Sequence, residues 1–194
     1  MNAARRPLFS WTGGQALDTT DADIPAVQIF WQDSPEYLLQ VEGHAPRASE
    51  GADFVRDRDL PPGFSCTRQH NYTYADAHGA VDGLGAMAID LLAPGVWHLG
   101  LFVAATRLHG SGWAAQAYEA TEAWAQAGGA RWMRLGVVLA NPRGHAFWRR
   151  QGYVEVKRRP EVSIGELSHT LVTMVKPLSA SVADYLEVVE RDRP

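Results

Sequence analysis

The sequence predicts a single α/β (α+β) domain with a central mixed, mostly antiparallel sheet flanked by helices. Three observations carry this. Residues 64–104 break into three strand-like runs separated by His78-Gly79 and Ala93-Pro94-Gly95, the pattern of an antiparallel meander. Residues 96–175 then alternate as β–α–β–α–β, which makes the sheet mixed. The chain has 194 residues, 46% apolar and 21% charged, enough to fill one core.

Leu8–Trp11 reads as a first strand. Thr19–Asp23 is polar and starts a helix at Ile24-Pro25. Asp33-Ser34-Pro35-Glu36 is a stronger start, with a capping residue, then Pro and an acid in the first turn. Tyr37, Leu38 and Val41 form the apolar stripe that follows, and Gly43 or Pro46 ends it. Ala48–Val55 reads as a short helix broken by Leu60-Pro61-Pro62-Gly63. The meander strands are Phe64–Tyr74, Ala80–Leu91 and Val96–Ala104. Val81, Leu84, Met87 and Ile89 alternate imperfectly, and Gly83 and Gly85 mark a bulge.

A strong helix follows Arg107–Gly112. Trp113, Ala117, Ala120 and Trp124 recur at helical spacing, and Gly128-Gly129 stops it. Trp132–Leu139 reads as a buried strand. Asn141 caps a short helix, Pro142 takes its first position and Gly152 ends it. Strands at Tyr153–Lys157 and Leu171–Val175 complete the domain, set at residues 1–177. Residues 178–194 read as a charged tail with one amphipathic turn at 182–189.

A net charge of −4 gives no field that favours nucleic acid. Cys66 is the only cysteine, which excludes an internal disulfide and fits a reducing compartment. The N-terminus lacks the apolar segment of a secretory signal, and no uncharged apolar stretch approaches the ~20 residues of a membrane span. The expected location is cytoplasmic, without membrane, nucleic-acid or metal partners.

Two segments carry chemistry. Arg107-Leu-His-Gly110-Ser-Gly112 lies between an apolar strand and a helix. Gly110 and Gly112 remove Cβ atoms at alternate positions, so N–H groups from Leu108 to Ala114 can surround an anion, with the helix dipole and the Ser111 hydroxyl helping. The same pattern also suits a plain tight turn. No third glycine or Gly-Lys-Ser/Thr follows, so it is neither a dinucleotide fingerprint nor a P-loop. The second segment is Asn141-Pro-Arg-Gly-His-Ala-Phe147-Trp148-Arg-Arg-Gln-Gly152-Tyr153, a compact helix with an aromatic patch.

In this order and spacing the two segments resemble the acyl-CoA signature of the GNAT N-acetyltransferases. The likeness covers Val96–Tyr153 most strongly. The earlier Ser34-Pro-Glu-Tyr…Gly43…Leu60-Pro-Pro-Gly63 stretch is similar to a bacterial branch whose acceptors are mostly unassigned. The resemblance implies a bulged strand whose Leu101, Phe102 and Val103 contact pantetheine. It implies that Arg107, Leu108, His109, Gly110, Ser111, Gly112, Trp113 and Ala114 hold the pyrophosphate, and that Asn141, Phe147 and Trp148 flank the coenzyme. The proline common after that strand is replaced by Ala104-Ala105-Thr106.

It also frames the catalytic candidates. Trp148 stands where the family often has the tyrosine acid, and an indole N–H does not give up its proton. Tyr153, a water, or nothing takes that place. His98, just ahead of the pantetheine strand, and Asp90, on the neighbouring strand, are the candidate bases, against the plainer readings of core histidine and solvated carboxylate. His70, Tyr72 and Tyr74 alternate on one strand face and are candidates for the acceptor wall, or for a half-buried aromatic face. The implied function is acetyl transfer from acetyl-CoA to a small primary amine, by a monomer or homodimer. The alternatives are a non-catalytic CoA-binding sensor or interaction module and a protein or peptide N-acetyltransferase.

Overall fold

One continuous sheet organises the chain. A computed structural model describes residues 5–194, so the first four residues of the expected domain lie outside the described residues. The strands are β1 (Phe9–Trp11), β2 (Gly14–Asp18), β3 (Arg68–Ala75), β4 (Val81–Ile89), β5 (Val96–Ala104), β6 (Trp132–Val138), β7 (Val154–Ile164) and β8 (Leu167–Pro177). They are ordered β1-β2-β3-β4-β5-β6-β8-β7. All neighbours pair antiparallel except β5 and β6, which are parallel and joined through α3 (Trp113–Ala127). The mixed sheet expected from the sequence is therefore present. β2 has no counterpart among the expected strands, and β7 and β8 extend into a hairpin with 11 residues on each side.

Helices cover both faces. α3 and α4 (Pro142–Arg150) bury Tyr118, Ala125 and Trp148 against Tyr72, Tyr74, Leu99, Leu135 and Met174. α1 (Ile24–Asp33) and α2 (Glu50–Arg56) bury Val27, Phe30, Trp31 and Val55 against Leu84 and Val103 on the opposite face. The Ser34-Pro35-Glu36 start opens only a turn followed by a π-helical turn, Leu38–Glu42, ended by Gly43 at φ +84°. Apolar packing explains that choice: Leu38 and Val41 are buried within one turn, and the glycine terminates the run.

The C-terminal segment does not trail away. α5 (Val182–Val188) starts at Ser181, whose Oγ accepts from the Asp184 N–H. Tyr185 and Val189 are buried against Val96, Trp132 and Val175 on the α1 face. A tail carrying a Tyr and a Val at helical spacing gains more by covering that strip than by staying solvated.

Gly83 and Gly85 serve close approach rather than a bulge of their own. A Cβ at Gly85 would lie 2.4 Å from the Tyr72 ring, and one at Gly83 would lie 2.7 Å from Trp113. The register break in β4 falls beside them, at Asp82.

Candidate acyl-transfer site

The site is built where β5 parts from β6. Val96–Leu99 pair with Trp132–Leu135, and there the pairing stops; Gly136–Val138 pair only with β8. Residues 101–104 pair only with β4. The change occurs at a bulge: Leu99 lies opposite Met87 and Leu101 opposite Ala86, so Gly100 has no partner. The extra residue resets the alternation. Leu99 packs under α3, whereas Leu101 packs on the α1 side. The result is a wedge-shaped opening with one strand edge of free main-chain groups.

The 105–112 loop stands at its mouth. Ser34 Oγ accepts from the Thr106 N–H at 3.0 Å, Glu36 binds the Thr106 hydroxyl, and Arg107 pairs with the buried Asp82 at 2.5 Å. Arg107 thus fixes the loop to β4. Gly110 and Gly112 have φ +79° and +88°, and a Cβ at either would meet nothing within 4 Å. The N–H groups of Leu108, His109 and Ser111 already bond to loop carbonyls, and the Ser111 hydroxyl donates to Leu108 O at 2.7 Å. These three amides therefore leave the anion-binding set drawn from the sequence. The amides of Gly110, Gly112 and Ala114 face no such partner among the described residues, at the positive end of α3.

α4 closes the other side of the wedge. Asn141 Oδ1 caps it, accepting from Gly144 N–H at 2.9 Å. Phe102 sits between the helices: its ring stacks on Phe147 at 6.1 Å and 11° and on Trp113 at 6.5 Å and 24°, with Trp148 edge-on at 5.6 Å. Leu101, Phe102, Val103, Trp113, Asn141, Phe147 and Trp148 are thus brought together.

The catalytic and acceptor candidates are dispersed. Tyr72 and Tyr74 are fully buried beneath α3; Tyr74 Oη bonds Thr121 Oγ1 at 2.7 Å and lies 3.3 Å from Tyr72 Oη. His70 abuts Trp124 edge-on and lies 3.2 Å from Asp18. All three belong to the core on the α3 face, not to a pocket wall. Asp90 holds the β4–β5 turn: its Oδ1 accepts from Gly95 N–H at 2.7 Å and its Oδ2 from Thr67 Oγ1 at 3.0 Å. It is four residues beyond Ala86, about 13 Å along the strand from the bulge. Tyr153 is buried and accepts from Tyr118 Oη at 3.0 Å, and burial pushes its phenol pKa upward.

His98 does lie beside the bulge. A Cβ at Gly100 would be 3.9 Å from its Nε2. Its Nδ1 is 3.2 Å from Arg134 Nη1, and because an arginine only donates, Nδ1 is the acceptor and the ring proton sits on Nε2. Burial, with the Arg134 charge adding to it, lowers the ring pKa to about 3. At neutral pH His98 is a neutral donor with its lone pair occupied, so it cannot serve as the base.

Behind it lies a cluster that no sequence motif announces. Arg134 is 2% exposed and Asp192 1% exposed; Arg134 Nε donates to Asp192 Oδ2 at 2.7 Å, and Tyr185 Oη donates to the same oxygen at 2.5 Å. Burial raises the Asp192 pKa, but hydrogen bonds from Arg134 and Tyr185 outweigh it and hold the carboxyl below its ordinary range. The one available signal is Arg134 itself, a charge inside the apolar run Trp132–Val138. Its partner lies 58 residues away, beyond the reach of any local pattern.

The fold and this wedge point to an acyltransferase, and sequence comparison agrees. The acetyltransferase (GNAT) family model matches residues 27–153, more than half of the chain. The chain belongs to that family. No curated sequence matches it. Similar solved structures include an acetyltransferase from Thermus thermophilus, with a TM-score of 0.65 at 20% identity over 89% of this chain and 100% of that one. Another is the Salmonella typhimurium acetyltransferase that modifies the N-terminal serine of ribosomal protein L7/L12, with 0.69 at 15% over 89% and 98%. A third is the spermidine N-acetyltransferase from Vibrio cholerae in complex with CoA and spermine, with 0.63 at 14% over 84% and 95%. At these identities the likeness is one of fold. No helix among the described residues is long and apolar enough to cross a membrane, and no cluster suited to a metal occurs among them.

Proposed function

We propose that this protein transfers the acetyl group of acetyl-CoA to a primary amine of a small molecule, by direct attack in a ternary complex. The observation that carries the reading is the wedge between β5 and β6, opened at Gly100 and leading to the unbonded amides of Gly110, Gly112 and Ala114. These amides and the α3 dipole suit a diphosphate, and the free edge of residues 101–103 suits an amide-bearing arm. Leu108, His109 and Ser111 spend their main-chain N–H groups within the loop, and Arg107 spends its side chain on Asp82.

In the reaction the amine lone pair attacks the thioester carbonyl carbon. The C–N bond forms, the C–S bond breaks, the sulfur leaves with the electron pair, and the nitrogen loses a proton. A main-chain N–H of the 101–103 edge is the candidate donor to the developing oxyanion. His98 Nε2–H lines the same place as a fixed donor. With Asp90 held in a turn and the His98 lone pair occupied, water in the wedge accepts the amine proton. A thiol of pKa near 8.5 leaves without a strong acid, so Tyr153 can remain a core residue.

The test is thermal unfolding with and without CoA, followed by thiol release from acetyl-CoA across an amine panel. CoA raises the melting temperature. Gly112→Glu abolishes the rise, whereas Gly79→Glu, with the same left-handed strain in the remote β3–β4 turn, retains it. Absence of any shift at millimolar CoA overturns the proposal; a shift without thiol release favours a binding module.

A further inference from the structure

We infer that the acceptor carries a carboxylate, read by Arg159 and Thr173 on the α1 face of the sheet. This deepens the acetyl-transfer reading and rests on it. Thr173 sits on β8 opposite Gly136, level with the widening wedge. It is fully buried, yet its Oγ1 has no hydrogen-bond partner among the described residues. A buried hydroxyl without a partner is costly and rare, and at a site it signals a group that completes it.

Arg159 lies on β7 opposite Leu171, two residues along from the pairing of Lys157 with Thr173. Register breaks flank it on both sides, at Glu155/Lys157 and Arg159/Val162, and Glu161 within the second has φ +55°. Bulges of this kind re-aim a side chain. Arg159 Nε is also buried without a partner among the described residues. Burial, then the nearby Arg134 charge, lowers its pKa, and Asp192 opposes this only in part. Asp192 is already spent on Arg134 and Tyr185. Arg191 adds another positive charge, stacked 3.9 Å over Phe64.

The balance near the wedge is therefore three guanidinium groups against one committed carboxylate. A polyamine would meet repulsion there. An amine bearing a carboxylate would supply what Arg159 and Thr173 lack: two acceptor oxygens for a guanidinium edge and a hydroxyl. β7 lies three strand spacings, about 14 Å, from β5. The anion is thus held apart from the amine, which reaches toward the bulge.

Two variants test this in the full chain. Thiol release is measured with tripeptides and tetrapeptides having free C-terminal carboxylates, which at about 3.5 Å per residue span most of that distance, with their C-terminal amides, and with spermidine. Free carboxylates are expected to give at least 10-fold higher kcat/KM than the amides. Arg159→Gln should raise the acceptor KM by about 10- to 100-fold, matching a charged hydrogen bond, with the acetyl-CoA KM and the amide kinetics unchanged. Thr173→Val should raise the melting temperature while weakening the same acceptors, two signs that a purely structural role does not combine. Preference for spermidine, or equal effects of Arg159→Gln on amides and acids, overturns the inference. If no amine turns over, the acetyl-transfer reading fails. Calorimetry of the CoA-loaded protein then decides the inference: carboxylate-bearing amines bind and Arg159→Gln abolishes it, or the inference is wrong.

Discussion

Asp192→Asn removes one charge from a buried pair and leaves Arg134 nearly unchanged in position. Both side chains are almost inaccessible, and the carboxylate accepts from Arg134 Nε, Arg134 Nη2 at 3.2 Å and Tyr185 Oη. Breaking one partner of such a pair typically costs about 3–5 kcal/mol, because a guanidinium remains desolvated without compensation. Against a total stability of about 5–15 kcal/mol this is a large fraction. For a chain of this size each kcal/mol corresponds to about 2–4 °C, so the melting temperature should fall by about 6–20 °C. Urea unfolding at pH 7 is the assay, with unchanged m-value as the sign that the folded state keeps its extent. The pH dependence supplies a second readout. The folded pKa of Asp192 is depressed, so its contribution is complete above the ordinary carboxylate range and disappears as pH falls through the lowered value. The gap between wild type and variant should therefore close in acid. The triple variant Arg134→Met, Asp192→Leu and Tyr185→Phe should recover most of the loss, because neither a charge nor the Tyr185 hydroxyl is left buried without a partner. A single-variant loss below about 1 kcal/mol, or a gap that widens in acid, refutes the account.

Tyr153→Phe leaves the Tyr118 hydroxyl without its acceptor, costing about 1–3 kcal/mol in denaturant unfolding. Its turnover should fall far less than the roughly 10²-fold expected on removing a general acid, and a loss of that size would restore Tyr153 to catalysis. The His98 ring should remain neutral in NMR titration from pH 8 down to 5. Its folded pKa lies below the unfolded value near 6.5, so it makes the protein less stable as pH falls from there toward about 3; a midpoint near 6.5 in the folded protein would contradict the Arg134 contact. Gly85→Ala should destabilise by about 1–3 kcal/mol, because its methyl group enters the Tyr72 ring; a neutral result in urea unfolding would show that the ring has room to move.

Local signals in this chain are legible where one residue type has one conformational use. Gly128-Gly129 ends α3, Asn141-Pro142 starts α4, and Gly112 at φ +88° stands at the head of α3. The alternating Tyr72 and Tyr74 mark a strand face correctly, but not which layer covers it. That depends on α3, 40 or more residues on, filling the face with Tyr118 and Thr121. Asp90 looks like a strand-end carboxylate and is a turn clamp, because its own φ of +55° brings its oxygens to Gly95 and Thr67. Gly100 gives no such signal: a lone glycine in a strand does not announce that the partner strand lacks a matching residue.

By itself the order of residues determined the mixed sheet, the glycine loop ahead of α3 and the aromatic α4, since each follows from short-range periodicity and backbone freedom. Which groups are chemically available followed from packing between distant segments. The state of His98 depends on Arg134 across the parallel strand pair, and that of Arg134 on Asp192 at the far end of the chain. Charge, desolvation and hydrogen bonding act through space over a few ångströms, and neighbours at that range are set by folding, not by position along the chain.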